Sequence, residues 1–564
     1  MTATQHSAPG TLNRVSVDPI TTEIVRNAFI AAAQDMNANL IRSAHSPIIY
    51  EMKDCSVGIF DRETNLLGQA AGLPIFLGNL EVTIQLTIEK YGYDGIFNGD
   101  VFILNDSYLT GTHLGDITVI SPIFYKEELV GFTASRAHWL DIGAKETMPI
   151  DSTEIYQEGI RLPPTRVMSK GEPLRDVFDI LALNSRLPLV LEGDLNAQIA
   201  AARTGEARYK AILDRFGRDT VEACARKIFE QSAELDRQAV AAIPDGVYTA
   251  EGFLDDDGVT DETVHVKLKV TVEGDRMIMD LSGSNPAVGG NVNCGKAQSV
   301  SGCRVAFKML INPTVPVTGG TFAPLDVIIE PGTIFAAENP SACQFYFSPL
   351  GLLIDLLGTA LAPVIPDRVA AAHFGDSMVV GMTIRGAVYK IHTQANSGGW
   401  GGSQGRDGES ALINNVNGGL KSIPCEVAES VFPMRIDRYA LRVDSGGAGQ
   451  WRGGLGTIKE YVALEDNTRV MVRLDRAKMP GWGLLGGEPA QPPKATFVYP
   501  DGTTEVRNKV NSMPVPTGTH VIVETGGGGG FGPASARDRA AIERDLTEGY
   551  ITPETAATSY GHTG

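Results

Sequence analysis

Residues 112–138 read THLGDITVISPIFYKEELVGFTASRAH, and the fold of the first part of the chain turns on them. Two apolar runs, Ile117 to Phe124 and Leu129 to Ala134, flank Lys126-Glu127, so the stretch predicts an antiparallel hairpin with that pair at the turn. An antiparallel register runs backward one residue per step, which makes the numbers of facing residues sum to roughly 253. His138 then faces Gly115 and sits beside Asp116, with His113 three residues earlier on the same arm. Two imidazoles and a carboxylate converge at a strand end, a donor set suited to zinc, manganese or ferrous iron. A His-x-x-Asp spacing alone is common in capped loops, so the facing His138 carries the weight. Only nine histidines occur in 564 residues, which makes two in one hairpin a concentration. Glu51 and Asp54, just ahead of the strand signal at Ser56, offer a fourth oxygen, while Asp106 and Asp141 read equally well as turn acids.

Working outward, Asp18-Pro19 pairs an N-cap with a proline at the first helical position. Ile24, Val25, Ala28, Phe29, Ala32, Met36 and Leu40 then recur at helical spacing and predict an amphipathic helix ending before Ser46-Pro47. Short apolar runs at Ser56 to Phe60 and Val101 to Leu104 read as strands. Helix signals return from Leu191 to Ala242, with breaks expected at Thr204-Gly205 and Gly217. Val266 to Val272 and Met277 to Leu281 alternate apolar and polar residues around Glu273-Gly274-Asp275, a half-exposed hairpin. Leu350 to Ile365 is apolar but contains Asp355 and Pro363 and is too short for a full span, so it reads as a buried helix. Strand patterns at Tyr439 to Val443, Arg469 to Leu474, Thr496 to Tyr499 and His520 to Glu524 precede two short helices split at Gly549, the second starting at Thr552-Pro553. The sum is an α+β, multi-domain chain with mixed and antiparallel sheets: a metal-binding α+β domain over 1–242, a central α+β domain over 243–432, and a β-rich domain with terminal helices over 433–564.

A formal net charge of −19 with no basic stripe argues against nucleic acid, whose binders concentrate Lys and Arg. Six scattered cysteines without a C-x-x-C pair exclude a thiolate zinc knuckle and suit a reduced cytoplasm. Met1 to Asp18 is polar and does not read as a secretory leader, and no membrane segment is expected. Gly290-Asn291-Val292-Asn293-Cys294-Gly295-Lys296 has phosphate-loop spacing, but Ala297 replaces the hydroxyl that would hold magnesium, so a turn is the better reading. Gly446 to Gly449 and Gly526 to Gly530 read as bends after strands, and the Gly/Asn-rich stretch Asn396 to Gly419 as ordered loop.

Several of these segments together resemble the hydantoinase B/oxoprolinase family. The resemblance runs from Asp18-Pro19-Ile20 through Glu51-Met52-Lys53-Asp54-Cys55-Ser56, Asn105-Asp106 and Gly111-Thr112-His113-Leu114-Gly115-Asp116. It resumes at His373-Phe374-Gly375-Asp376, Arg406-Asp407-Gly408, Asp444 to Gly449, Arg452 to Gly456 and Gly527 to Gly532. It implies a divalent metal (Zn, Mn or Fe) at His113, Asp116 and His138, with an acidic fourth ligand assigned to Glu51 ahead of Asp54. It also implies a hydantoinase A-type partner that binds ATP and Mg, within a hetero-oligomer such as two A and two B subunits. The expected function is ATP-dependent opening of a cyclic amide such as a hydantoin, 5-oxoproline or another lactam, on an intermediate phosphorylated by the partner. The alternative is a subunit of an acetone-type ketone carboxylase. Asp54 and Asp106 are the candidate bases for such a hydrolysis. One departure is Phe76-Leu77-Gly78, where many relatives carry a histidine in place of Phe76.

Overall fold

Asp18 accepts a hydrogen bond from the Thr21 amide, Pro19 takes the first helical position, and a helix runs Pro19–Ser43 with Val25, Phe29, Met36 and Leu40 buried. The structure, a computed structural model, describes residues 16–386 and 388–563. Most of Met1 to Asp18, read from sequence as no secretory leader, lies outside that set.

The N-terminal helix packs on helix Pro188–Phe216 and on a seven-stranded sheet that is antiparallel throughout. Its strands are β1 (Cys55–Asp61), β2 (Leu66–Gln69), β3 (Val101–Leu104), β4 (Asp116–Tyr125), β5 (Glu128–His138), β6 (Thr165–Ser169) and β7 (Glu172–Pro173), in the spatial order β2-β1-β5-β4-β3-β6-β7. β4 and β5 form the expected hairpin. Lys126 and Glu127 both hold positive φ, 49° and 67°, the backbone of a two-residue turn whose twist matches the strands it joins. Beside the turn Phe124 faces Leu129, the expected register. A bulge then leaves Val130 without a facing residue and moves the register by one, so His138 faces Asp116 itself rather than Gly115.

A second sheet contains the Val264–Glu273 and Arg276–Asp280 hairpin, strand Gly246–Leu254 and, parallel to its neighbour, Leu325–Ile328. Burial alternates along Val264–Glu273 as the pattern predicts. The third sheet takes Val379–Arg385 and Tyr389–Ala395 from before residue 432 and Thr468–Arg473 and Lys509–Val515 from after it. The fourth, five-stranded sheet lies wholly after residue 433, and helices Arg539–Thr547 and Pro553–Tyr560 follow. The architecture is therefore α+β with mixed and antiparallel sheets. One apolar core extends from Val25 to Phe531 and draws on all four sheets.

The expected break at Thr204-Gly205 is corrected: the helix runs unbroken over Pro188–Phe216 and stops at Gly217, whose φ is 78°. Gly205 serves packing instead, since a Cβ there would lie 2.3 Å from Met36 Sδ. Helix Phe347–Leu361 is buried nearly throughout, and among the described residues no helix is long and apolar enough to cross a membrane.

The glycine loops are also more than bends. Gly399, Gly402, Gly447, Gly454 and Gly526 to Gly530 run side by side and hydrogen-bond backbone to backbone, as in Gly402 N–H to Gly529 O at 2.9 Å and Gly528 N–H to Gly454 O at 3.0 Å. The strands of this bundle lie so close that a Cβ at Gly528 would meet the Trp400 carbonyl oxygen at 2.0 Å. The loop Gly290 to Lys296 is filled by its own side chains: Asn293 donates to the carbonyls of Val288, Gly290 and Ala342.

Candidate metal centre

The bulge in the hairpin sets the site. Because directly facing residues of an antiparallel pair project to one side, Asp116 on β4 and His138 on β5 share a face. The next rung outward, the His138 N–H to the Asp54 carbonyl oxygen at 3.1 Å, brings Asp54 into the same row at the start of β1. His113 enters from the turn before β4. The Asp116 carboxylate lies between the two rings, with His138 Nδ1 3.2 Å from Oδ1 and His113 Nδ1 3.3 Å from Oδ2, and the ring centroids are 4.7 Å apart. One donor atom from each of His113, Asp116 and His138 lies within 4.8 Å of the others. Gly115 permits this approach, since a Cβ there would stand 2.8 Å from His138 Cε1 and 3.3 Å from His113 Cε1.

All three residues are buried around a cavity of ≈ 40 Å³, lined also by Asp54, Phe76 and Tyr346. The Tyr346 hydroxyl donates to Asp116 Oδ2 at 3.2 Å. His113 Nδ1 is close to Asp116 but not aligned for a hydrogen bond, and Asp54 Oδ1 has no partner at all. Buried polar atoms are nearly always satisfied, so two unpartnered atoms of this kind facing one small cavity fit a bound cation or water. Imidazole and carboxylate are the donors that zinc, manganese and ferrous iron share.

Burial dominates the electrostatics. It pulls His113 down to about 4, against Asp116, leaving a neutral imidazole with a free lone pair. Burial also pulls on His138, but the hydrogen bond to Asp116 and the charge of Asp54 outweigh it and hold His138 above its ordinary value. Asp54 is pushed up to about 7 by burial, with Asp116 adding to the rise and His138 opposing it. A carboxyl held above its ordinary range thus sits beside two imidazoles and a carboxylate.

Of the six residues singled out from sequence, the structure brings four together: Asp54, His113, Asp116 and His138. Glu51 caps the four-residue helix Pro47–Tyr50, is half-exposed and does not line the cavity. Asp106 does not reach it either. Its Oδ1 caps the Tyr108 amide at 3.0 Å and its Oδ2 accepts from Arg161 Nε at 2.8 Å, so it does the work of a turn acid. Two residues were missed. Tyr346 lies over 200 positions from the hairpin and carries no local signal. Arg136 was open to period-two reasoning, because it is two residues before His138 on the same face of β5. It is fully buried, bonded through Nε to Thr118 Oγ1 at 2.8 Å and through Nη1 to Asn79 Oδ1 at 2.7 Å, and lies over the Phe76 ring. Phe76 therefore contributes an aromatic face to the cavity wall where relatives were expected to place a histidine.

With this geometry in hand, a family model described as hydantoinase B/oxoprolinase matches residues 18–534. The chain belongs to that family. One relative, the caprolactamase subunit beta of Pseudomonas jessenii, is 30% identical over 97% of this chain and 96% of its own. Among solved structures, the ATP-dependent caprolactamase from Pseudomonas jessenii superposes with a TM-score of 0.91 at 29% identity, over 97% of this chain and 96% of that one. A nucleotide-free acetone carboxylase structure superposes at 0.89 with 19% identity, over 96% of this chain and 79% of that one. At that identity the second likeness speaks to the fold alone.

Proposed function

We propose that this chain is the B-type subunit of an ATP-dependent enzyme that opens a cyclic amide, acting beside an ATP-binding A-type subunit that phosphorylates the substrate. Family membership and the full-length likeness to a caprolactamase support the reaction class, and the relative's designation as a subunit supports the partner. The observation that carries the reading is the row of Asp54, His138 and Asp116 across three adjacent strands, with His113 closing the group. His113, Asp116 and His138 would hold a divalent metal, which when bound supplies Lewis acidity toward a water or an amide oxygen.

The chain's own residues supply the rest. The neutral His113 needs no deprotonation to act as a donor. Asp116, fixed by the Tyr346 hydroxyl, holds the His138 ring through its hydrogen bond and stands 3.3 Å from His113 Nδ1. Asp54, with Oδ1 free, takes the proton from the attacking water and returns it to the ring nitrogen as the C–N bond breaks, leaving an acyl phosphate that a second water hydrolyses to carboxylate and inorganic phosphate. Of the two candidate bases, Asp54 is preferred to Asp106, whose carboxylate is committed to Arg161.

The test is to co-express the chain with its A-type subunit and assay hydantoin, 5-oxoproline and caprolactam with and without ATP. Ring opening that requires both subunits and ATP is the expected result. Turnover only with a ketone and bicarbonate would move the chain to the carboxylase reading. Asp54→Asn should lower kcat by roughly 10²–10⁴-fold with the metal content unchanged, the scale of a lost general base.

A further inference from the structure

The cavity beside the metal ligands, ≈ 40 Å³, is far below the about 300–1,000 Å³ of ordinary ligand sites. A larger pocket of ≈ 510 Å³ lies on the other side of a thin wall. The wall consists of the short helix Pro74–Leu77 with its flanks and the loop Asn414 to Gly418. Leu73, Phe76 and Asn417 face the metal cavity, whereas Pro74, Leu77, Asn415 and Gly418 line the pocket. On one side the wall is anchored, since the Ile75 carbonyl oxygen accepts from Gln298 Nε2 and Ser301 Oγ, both at 2.8 Å. The seam between its two halves is closed by the Ile75 N–H to Val416 O contact, stretched to 3.4 Å.

The pocket's chemistry is that of an amphipathic small molecule. Val317, Phe322, Met309 and the Trp400 indole give it an apolar body. At its edge Arg304 is already engaged by Glu81 and by the Gly78 carbonyl oxygen. Lys308, half-buried four residues after Arg304 on helix Lys296–Leu310, makes no ion pair within 4 Å among the described residues. Burial draws its amine below the ordinary range, with Asp236 only partly opposing, as expected of an ammonium short of a counter-charge.

We propose that this pocket takes up the substrate before it crosses the Ile75–Val416 seam to the metal cavity, and that the substrate it selects is a small apolar ring carrying one anionic group, phosphoryl or carboxylate, paired with Lys308. The inference rests on the metal cavity being the reaction centre. Binding to the pocket can nevertheless be read separately from the metal.

The test is calorimetric titration of the full-length chain with phenyl phosphate, benzoate and the neutral benzamide. The ring anions should bind at one site per chain and benzamide at least about tenfold more weakly. Lys308→Met should weaken the anions about tenfold and leave benzamide unchanged, and Val317→Trp should abolish binding by filling the pocket. His113→Ala should leave binding intact while lowering metal content, so failure of the pocket and failure of the metal reading give different results. A stronger response to phenyl phosphate than to benzoate would identify the anion as phosphoryl, and the reverse as carboxylate. No binding, binding unaffected by both pocket variants, or binding lost in His113→Ala alone would overturn the proposal.

Discussion

Gly115 sets how closely two imidazoles can flank one carboxylate. Any Cβ at that position would lie 2.8 Å from His138 Cε1, so Gly115→Ala should push the rings apart and lower the bound metal per chain in elemental analysis, with far-ultraviolet circular dichroism unchanged. An alanine variant that keeps its full metal content would show that the ring spacing is not limiting. At this scale the sequence discloses the cluster it encodes locally: the meeting of His113, Asp116 and His138 follows from a hairpin turn and a count of residues. The choice between Glu51 and Asp54 is not legible in the same way. Lys53 between them holds a φ of 59°, and this left-handed residue ends the helical phase, leaving Glu51 half-exposed and Asp54 in the strand row. Asp106 misleads for a related reason, since an acid before Ser107 is as good an N-cap as a base.

At the scale of elements, helix Phe347–Leu361 fixes the site from the far side, because Tyr346 immediately precedes it and bonds Asp116. Leu353 is fully buried in that helix, whereas Leu183 is 87% exposed. Leu353→Ala should cost about 2–5 kcal/mol in denaturant unfolding, and Leu183→Ala no more than about 0.5 kcal/mol. Comparable losses would contradict the assignment of this helix to the core. Elements with strong periodicity, such as this helix and the Val264–Asp280 hairpin, are written in local sequence. The bulge at Val130 is not, because it depends on how β5 must pack between β1 and β4, and it moves the register by one. The glycine bundle is equally hidden: its order comes from segments distant in sequence that meet backbone to backbone, and no period of 2 or 3.6 marks them.

At the scale of the whole molecule, Glu158 ties the segment after β5 to the segment leading into Tyr346. It accepts from Ser152 Oγ at 2.6 Å and from the amides of Cys343 and Gln344, both at 3.0 Å. Burial pushes its carboxyl up to about 7, although those hydrogen bonds oppose the rise. A folded value above the ordinary 4.5 means the native state binds the extra proton. The stabilisation is complete below about 4.5 and is lost as pH rises through about 7. The unfolding temperature should therefore fall between pH 5 and pH 8, and Glu158→Gln should flatten that slope even if it lowers stability overall. An identical slope in the variant would assign the pH response elsewhere.

The α+β class with antiparallel sheets was readable at this scale, and so was the family. The wall between the two cavities was not, since it joins residues 72–78 to residues 414–418 across the fold. The central claim is that His113, Asp116 and His138 bind a divalent metal, and elemental analysis of the purified chain grown in metal-replete medium tests it most directly. Close to one zinc, manganese or iron per wild-type chain, falling to near zero in folded His113→Ala, is the expected result. A wild-type chain without stoichiometric metal, or a folded His113→Ala chain that retains it, would contradict the claim.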